Sequence, residues 1–196
     1  MIKVTAVLIQ WKRQQHLPKI IESLTKCPFI DEILIRDNSK TKNIICYGRY
    51  TLAKKAKNHV IYTQDDDCVI HDIPKLYAEY LKDPDTYTVG AIQDFIDVMD
   101  KNTYGERQMV FPPWGGFFKK EWVGVLDEYL AKYPKDKLFY READRIFSIL
   151  LGKHHKVIKS DVEQLCTHEQ NIGVALCEEK NHKELSNLAT RRALEL

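Results

Sequence analysis

The sequence predicts an α/β fold in which helices flank a central, mostly parallel sheet. Continuous apolar runs at residues 4–10, 33–35 and 60–63 are each closed by polar residues, as is typical of buried parallel strands. Between the first two runs, the apolar residues of 17–24 recur at the spacing of one helical face, and Pro18 lies in the first turn. Strand, helix and strand in this order indicate a parallel βαβ unit.

Further helices and short strands are predicted along the rest of the chain. Asp72 is the expected N-cap of one helix, and Gly152 is the expected end of another. Hydrophobic spacing predicts helices over residues 73–81, 122–133 and 143–151, and short strands over 87–92 and 157–158.

Two segments lack a sustained hydrophobic period. We expect a mobile loop at about residues 93–113 and a charged C-terminal tail at about residues 170–196, whose last twelve residues are compatible with a helix. Because no linker or repeat divides the chain, the prediction is one domain covering residues 1–196.

Composition narrows the class of protein. The hydrophobic fraction of 44% and charged fraction of 30% are ordinary for a globular protein, and a net charge of +2 gives no argument for a nucleic-acid partner. Five cysteines without CxxC spacing indicate neither a disulfide framework nor a zinc site. With no apolar run long enough to span a bilayer, a cytoplasmic location is expected.

The strongest chemical signal is the acidic triplet Asp65, Asp66 and Asp67. It follows the buried strand at 60–63 directly, and open α/β sheets bind ligands at the carboxyl ends of their strands. Adjacent carboxylates repel one another unless a cation offsets them, and their oxygens suit Mg²⁺ or Mn²⁺. A solvated acidic turn is the alternative, but Asp72 is better placed to cap the next helix, so capping does not explain the triplet.

At this point the chain resembles nucleotide-sugar-dependent glycosyltransferases of the GT-A fold, most closely the exostosin-like group. The resemblance covers about residues 3–152 and implies a Rossmann-like sheet and metal-dependent transfer of a sugar. The donor would be a nucleotide diphosphate sugar, with UDP favoured, and the acceptor a glycan, glycoprotein or other hydroxyl compound. The matching segments, in family order, are residues 5–10 followed by Arg13, residues 32–38, residues 60–67, residues 115–118 before a helix, and residues 142–144.

The resemblance also implies a metal site. Asp67 would bind Mn²⁺ or Mg²⁺, and Asp65 would contact the nucleotide ribose and lie next to the ion. Many enzymes of this fold complete the metal shell with a late histidine, for which His168 is a candidate, although lone histidines are more often surface or capping residues.

The remaining donor-binding candidates follow from family position. Each has an ordinary alternative: a solvated charge, a strand-ending turn, or a turn before a helix. Two glycines permit close backbone approach to a ligand, and a neighbouring tryptophan could stack on a sugar ring. The candidates are Gln10, Arg13, Asp37, Asn38, Arg49, Asp66, Trp114, Gly115 and Gly116.

Glu142 and Asp144 are the catalytic candidates. They open a helix whose apolar stripe lies at other positions, so both carboxylates are expected off the core. Family position favours Asp144 as a general base for the acceptor hydroxyl, or as a group that positions the sugar. The alternative is that both are only favourable partners of the helix dipole.

Two other functions compete with this hypothesis. A metal-dependent nucleotidyltransferase normally needs a glycine-rich first loop, and residues 10–15 contain no glycine. A non-catalytic nucleotide-sugar-binding module is the other alternative, with a partner domain if the chain is part of a longer protein.

Overall fold

Strands from both halves of the chain form one sheet in the computed structural model, which describes residues 1–152, 155–167 and 180–196. The sheet order is β2-β1-β3-β8-β5-β9, and two small ladders pair β4 with β10 and β6 with β7. The strands are β1 (Val4–Gln10), β2 (Ile30–Asp37), β3 (Val60–Gln64), β4 (Cys68–Ile70), β5 (Thr88–Ala91), β6 (Thr103–Tyr104), β7 (Arg107–Gln108), β8 (Gly116–Lys119), β9 (Lys156–Lys159) and β10 (Val162–Gln164).

The predicted fold class is confirmed. Strand β1 pairs in parallel with β2 and β3, and β5 pairs in parallel with β9. Strand β8 lies between β3 and β5 and runs antiparallel to both, so β5 points the same way as β3. The carboxyl ends of β1, β2, β3, β5 and β9 therefore meet at one edge of the sheet.

Helices cover the sheet. Within the described residues they are α1 (Leu17–Thr25), α2 (Tyr47–Ala53), α3 (Ile73–Lys82), α4 (Gln93–Lys101), α5 (Val125–Lys132), α6 (Lys137–Arg141), α7 (Ala143–Leu150) and α8 (His182–Leu194), with short 3₁₀ turns at Gln14–His16 and Lys120–Gly124. No helix in these parts of the chain is long and apolar enough to cross a membrane.

Helix α3 forms where expected but begins differently. Asp72 occupies the N-cap position, yet its side chain makes no capping hydrogen bond. Its Oδ1 instead accepts from the backbone N–H of Asp161 at 3.0 Å, which ties the start of α3 to the turn before β10. Leu81, in the last turn of the helix, is 40% exposed.

The segment predicted as a loop at residues 93–113 contains regular structure. Helix α4 occupies its first part and the β6–β7 hairpin follows. The prediction of a loop without regular structure is therefore wrong. Met99 of α4 is buried, whereas Phe95 and Val98 of the same helix are exposed. The four apolar residues of the helix, Phe95, Ile96, Val98 and Met99, recur at the spacing of one helical face, so the period is present in the sequence but spans only nine residues.

Helix α2 was not predicted either. It is two turns long and contains a glycine, and Tyr47, Arg49 and Tyr50 are all buried, so charge and hydrophobicity do not alternate along it. A Cβ on Gly48 would lie 2.8 Å from Ile9 Cγ2, so the glycine permits α2 to approach β1 closely.

Gly90 of β5 provides a test of the tightest packing in the sheet. A Cβ there would lie 2.2 Å from the Trp114 carbonyl oxygen and 2.3 Å from Ser160 Oγ, and the first neighbour is backbone that cannot rotate away. We expect Gly90→Ala to lower the free energy of unfolding by about 1–3 kcal/mol. Gly124→Ala is the matched control, because no atom lies within 4 Å of its Cβ position, and it should be neutral or stabilising by up to about 1 kcal/mol. Urea unfolding measures both, and equal effects would contradict the packing argument.

Candidate functional site

The polar residues that follow β1, β2 and β3 meet at the carboxyl edge of the sheet. Gln10 at the end of β1 pairs with Asp37 at the end of β2, and Leu8 pairs with Gln64 of β3. The next residue, Asp65, begins the acidic triplet and donates its backbone N–H to the Pro113 carbonyl at 3.1 Å.

The central carboxylate of the triplet has a structural role. Asp66 is buried, and its Oδ2 accepts from the Trp11 backbone N–H at 2.8 Å while its Oδ1 accepts from Arg13 Nη1 at 2.8 Å. His16 Nδ1 lies 2.9 Å from the Asp66 carbonyl oxygen. Asp66 therefore holds the loop between β1 and α1 in place. One carboxylate of the triplet thus has a structural role that the sequence did not predict.

Asp65 and Asp67 are the more accessible carboxylates, with side chains 36% and 23% exposed. Asp65 Oδ1 lies 2.6 Å from Arg49 Nη2, and Asp67 Oδ2 lies 3.3 Å from Arg13 Nη1. Burial, followed by repulsion from Asp65, raises the pKa of Asp67 to about 6. The two neighbouring carboxylates form an electronegative position, and a bound cation would offset their repulsion.

These two side chains fit a divalent metal shared with a substrate. In the described part of the chain, no group of three or more His, Cys, Asp or Glu residues could hold an ion by itself. Mg²⁺ sites commonly use only one or two carboxylates together with water and substrate phosphate oxygens, so the pair Asp65 and Asp67 supplies a suitable protein share. His168, the candidate third ligand, lies outside the described residues.

A buried guanidinium connects the triplet to the helix α7 carboxylate. Arg49 is 1% exposed; its Nη2 contacts Asp65, its Nη1 donates to Thr63 Oγ1 at 3.2 Å, and its Nε lies 3.2 Å from Asp144 Oδ1. Burial raises the pKa of Asp144, and Arg49 opposes that shift. Arg49 and Asp144 thus belong to the same cluster as Asp65, although α2 and α7 are far apart in the sequence.

Tyr50 is a site residue that sequence reasoning missed. Its hydroxyl donates to Asp144 Oδ1 at 2.9 Å, the same oxygen that Arg49 approaches. Because Tyr50 lies in a helix without a readable period, only its position next to Arg49 could have drawn attention to it.

Glu142 has a different environment from Asp144. It is buried, so the expectation that it lies off the core is wrong. Its Oε1 accepts from Arg141 Nε at 2.9 Å, its Oε2 accepts from Arg145 Nε at 3.0 Å, and Ser186 Oγ of α8 lies 3.1 Å from both oxygens. These contacts fasten the C-terminal helix to α7.

Gln10, Asp37 and Asn38 are held mainly by each other and by backbone. With its amide nitrogen facing Asp37, Gln10 donates to Oδ1 at 2.7 Å and Oδ2 at 3.2 Å, and its oxygen accepts from the N–H groups of Lys12 and Arg13. Asn38 is buried, accepts from Arg36 Nε and donates to the Ile45 carbonyl. Both amides therefore use their hydrogen-bonding groups inside the protein.

Trp114, Gly115 and Gly116 lead into β8 beside the triplet. Trp114 is only 9% exposed, and its ring centroid lies 5.0 Å from that of Phe95. Gly115 has φ +94°, and a Cβ there would lie 2.9 Å from Tyr62 Oη, so its glycine is required by backbone conformation and packing. A Cβ on Gly116 would lie 2.8 Å from Pro112 Cβ.

The fold has counterparts among solved structures. The mannosyltransferase PcManGT from Pyrobaculum calidifontis, in complex with GDP-Man and Mn²⁺, aligns with a TM-score of 0.60 over 98% of this chain and 73% of its own, at 12% identity. S. aureus TarS 1–349 aligns with a TM-score of 0.51 over 81% of this chain and 58% of its own, at 12% identity. Its complex with UDP-GlcNAc aligns with a TM-score of 0.50 over 97% of this chain and 66% of its own, at 13% identity.

The structural neighbours of this chain are GT-A-like glycosyltransferases. At these identities the likeness concerns the fold alone, and the chain spans less than two thirds of the TarS fragment in each of these two alignments. No protein-family model matches the sequence, and no curated protein matches it.

The buried ion pairs of Arg49 predict a large effect on stability. Arg49→Met leaves Asp144 and Asp65 without their cation, so we expect the free energy of unfolding to fall by about 3 kcal/mol near neutral pH. Since burial already raises the pKa of Asp144, losing Arg49 raises it further, and the folded state then binds more protons than the unfolded state. The destabilisation should therefore shrink as the pH falls from about 7 to about 4.

Lys54→Met is the control for Arg49→Met. Lys54 lies on the same part of the chain, but its pair with Asp127 at 2.7 Å is solvent-exposed, so its loss should cost less than about 1 kcal/mol. Urea unfolding at the two pH values measures both variants. A similar small loss for Arg49→Met, independent of pH, would mean that the cluster is not energetically coupled.

Proposed function

We propose that this protein is a metal-dependent glycosyltransferase that moves a sugar from a nucleotide diphosphate sugar to a hydroxyl acceptor. The observation that carries the proposal is the position of Arg49, which contacts both Asp65 of the triplet and Asp144 of α7. A cation-binding group and a candidate base therefore lie around one buried charge at the ligand-binding edge of the sheet.

Asp65 and Asp67 would hold the divalent ion, for which Mn²⁺ or Mg²⁺ suits the oxygen donors. Bound there, the ion would neutralise charge that builds on the diphosphate as the glycosidic bond breaks. The contact with Arg49 holds the Asp65 carboxylate in its orientation, and Arg13, 3.3 Å from Asp67, does the same for the Asp67 carboxylate. Asp66 contributes by fixing the loop that carries Arg13.

Asp144 is the proposed base. Arg49 and Tyr50 both contact its Oδ1, and the Cys46 side chain is a further hydrogen-bond partner of the carboxyl group. The acceptor hydroxyl would approach its Oδ2. Burial raises the pKa of this carboxyl group, which moves it towards the range in which a general base works efficiently. In a retaining enzyme the same carboxylate would position the sugar instead.

Several finer points belong to the proposal only. UDP is favoured by the resemblance, while the neighbours carry GDP-Man in one case and UDP-GlcNAc in another. A glycan or glycoprotein acceptor, a cytoplasmic location and a partner domain in a longer protein also stay predictions. The four cysteines in the described ranges are free thiols, which is compatible with a reducing compartment.

Asp67→Ala tests the metal site. We expect metal-dependent binding of a nucleoside diphosphate to be lost while stability holds or rises, because the substitution removes a partly buried carboxylate that Asp65 repels. Asp66→Ala is the matched comparison and should instead lower stability by about 1–3 kcal/mol, since it removes the side-chain acceptor of the Trp11 N–H and the carboxylate nearest to Arg13. Calorimetric titration with UDP and Mn²⁺ measures the affinity, and unchanged metal-dependent affinity in Asp67→Ala would refute the assignment.

Asp144→Asn tests catalysis. The variant keeps the size of the side chain but not its basicity, so turnover should fall by at least about a hundredfold while UDP and Mn²⁺ binding changes little. Glu142→Gln should mainly lower stability, because Glu142 joins two arginines to Ser186 of α8. If Glu142→Gln alone lost turnover, the base would be Glu142. If neither variant did, and the wild type bound nucleotide sugar without transferring or hydrolysing it, the binding-module alternative would be favoured.

A further inference from the structure

Helix α4 begins at the same edge of the sheet as the acidic triplet. Strand β5 runs in the direction of β3, and α4 starts two residues after β5 ends. Side chains in the first turns of α4 are therefore placed at the ligand-binding edge, on the far side of β8 from the triplet.

An aromatic pair occupies this position. The Phe95 ring is 40% exposed and packs against Trp114, which is almost covered. The backbone on either side of the Trp114 ring is held in place. The Trp114 carbonyl packs directly against Gly90, and the carbonyl of the neighbouring Pro113 accepts from the Asp65 N–H. Phe95 is thus the accessible ring of a pair that is anchored beside the proposed donor site.

The polar groups around Phe95 restrict what could bind there. Asp94 is exposed next to Phe95, and Val98 extends the apolar surface by one turn, while Asp97 lies 3.9 Å from Lys101 of the same helix. Carboxylates accept hydrogen bonds from hydroxyl groups and repel phosphate or carboxylate ligands. The negative face of an aromatic ring attracts the weakly positive C–H groups on one face of a pyranose.

We propose that Phe95, supported from behind by Trp114, is the acceptor subsite and that it binds a neutral sugar ring. This inference rests on the proposed glycosyltransferase function and specifies its acceptor class. It also moves the expected stacking role from Trp114, whose ring is largely covered, to a residue that the sequence did not single out.

Saturation-transfer NMR with a panel of neutral methyl pyranosides tests the proposal on the full chain with UDP and Mn²⁺ present. At least one neutral pyranoside should bind the wild type, and Phe95→Ala should weaken it about threefold to tenfold, the range that corresponds to one aromatic contact. Phe95→Trp should retain binding. Leu81→Ala is the control for removing an apolar side chain of equal exposure, 40%, and should leave binding unchanged.

Other ligands and other outcomes decide against the proposal. Methyl glucuronides should bind more weakly than the neutral glycosides, because Asp94, next to Phe95 in the first turn of α4, repels their carboxylates. Binding of octyl glycosides without methyl glycosides would assign the surface to an apolar aglycone and overturn the sugar subsite. Failure of every neutral pyranoside, or equal binding by Phe95→Ala, would also overturn it.

The two proposals fail in different ways. Loss of the glycosyltransferase function would show as absence of Mn²⁺-dependent UDP binding in the wild type. If only the acceptor-subsite proposal is wrong, UDP binding stays intact in both the wild type and Phe95→Ala. Pyranoside binding is then absent or the same in the two proteins.

Discussion

The candidate site depends on one charge that has no access to water. Arg49 is buried in α2, and a guanidinium cannot release its proton, so the protein has to surround it with anions or acceptors. Asp65, Asp144 and Thr63 provide them from β3 and α7. Removing Arg49 or either aspartate leaves an uncompensated charge in a buried position, and this constrains α2, β3 and α7 to one relative position.

The same requirement explains how three successive aspartates are tolerated. Asp66 turns inward, where a backbone N–H and Arg13 compensate its burial. Asp65 and Asp67 turn outward, and each lies beside a different arginine. The triplet is therefore divided into one carboxylate that organises the neighbouring loop and two that are partly exposed at the edge of the sheet.

Sequence patterns predicted the parts of the fold that rest on local periodicity. Strands β1 and β3 are buried on both faces and appear as continuous apolar runs, while helices α1 and α7 show the repeat of a buried face. Helix α2 could not be predicted in this way, because it buries a charged residue, and the apolar period of α4 is too short to stand out from the polar residues around it. Family position singled out Arg49 and Asp144, whereas the contact between them, and Tyr50 beside them, depend on tertiary packing that no local pattern encodes.

Placement of β8 between β3 and β5 has a consequence for the order in which the chain can assemble. Both of those strands precede β8 in the sequence, so each has an unsatisfied edge until Gly116–Lys119 has been added between them. Strand pairing between residues far apart in the sequence slows folding, and unpaired strand edges can associate with other chains. A nascent chain that ends before β8 can pair β1 with β2 and β3, but one edge of β3 and both edges of β5 stay unpaired, because β8 and β9 come later in the sequence. A chaperone or rapid synthesis through this stretch would protect it.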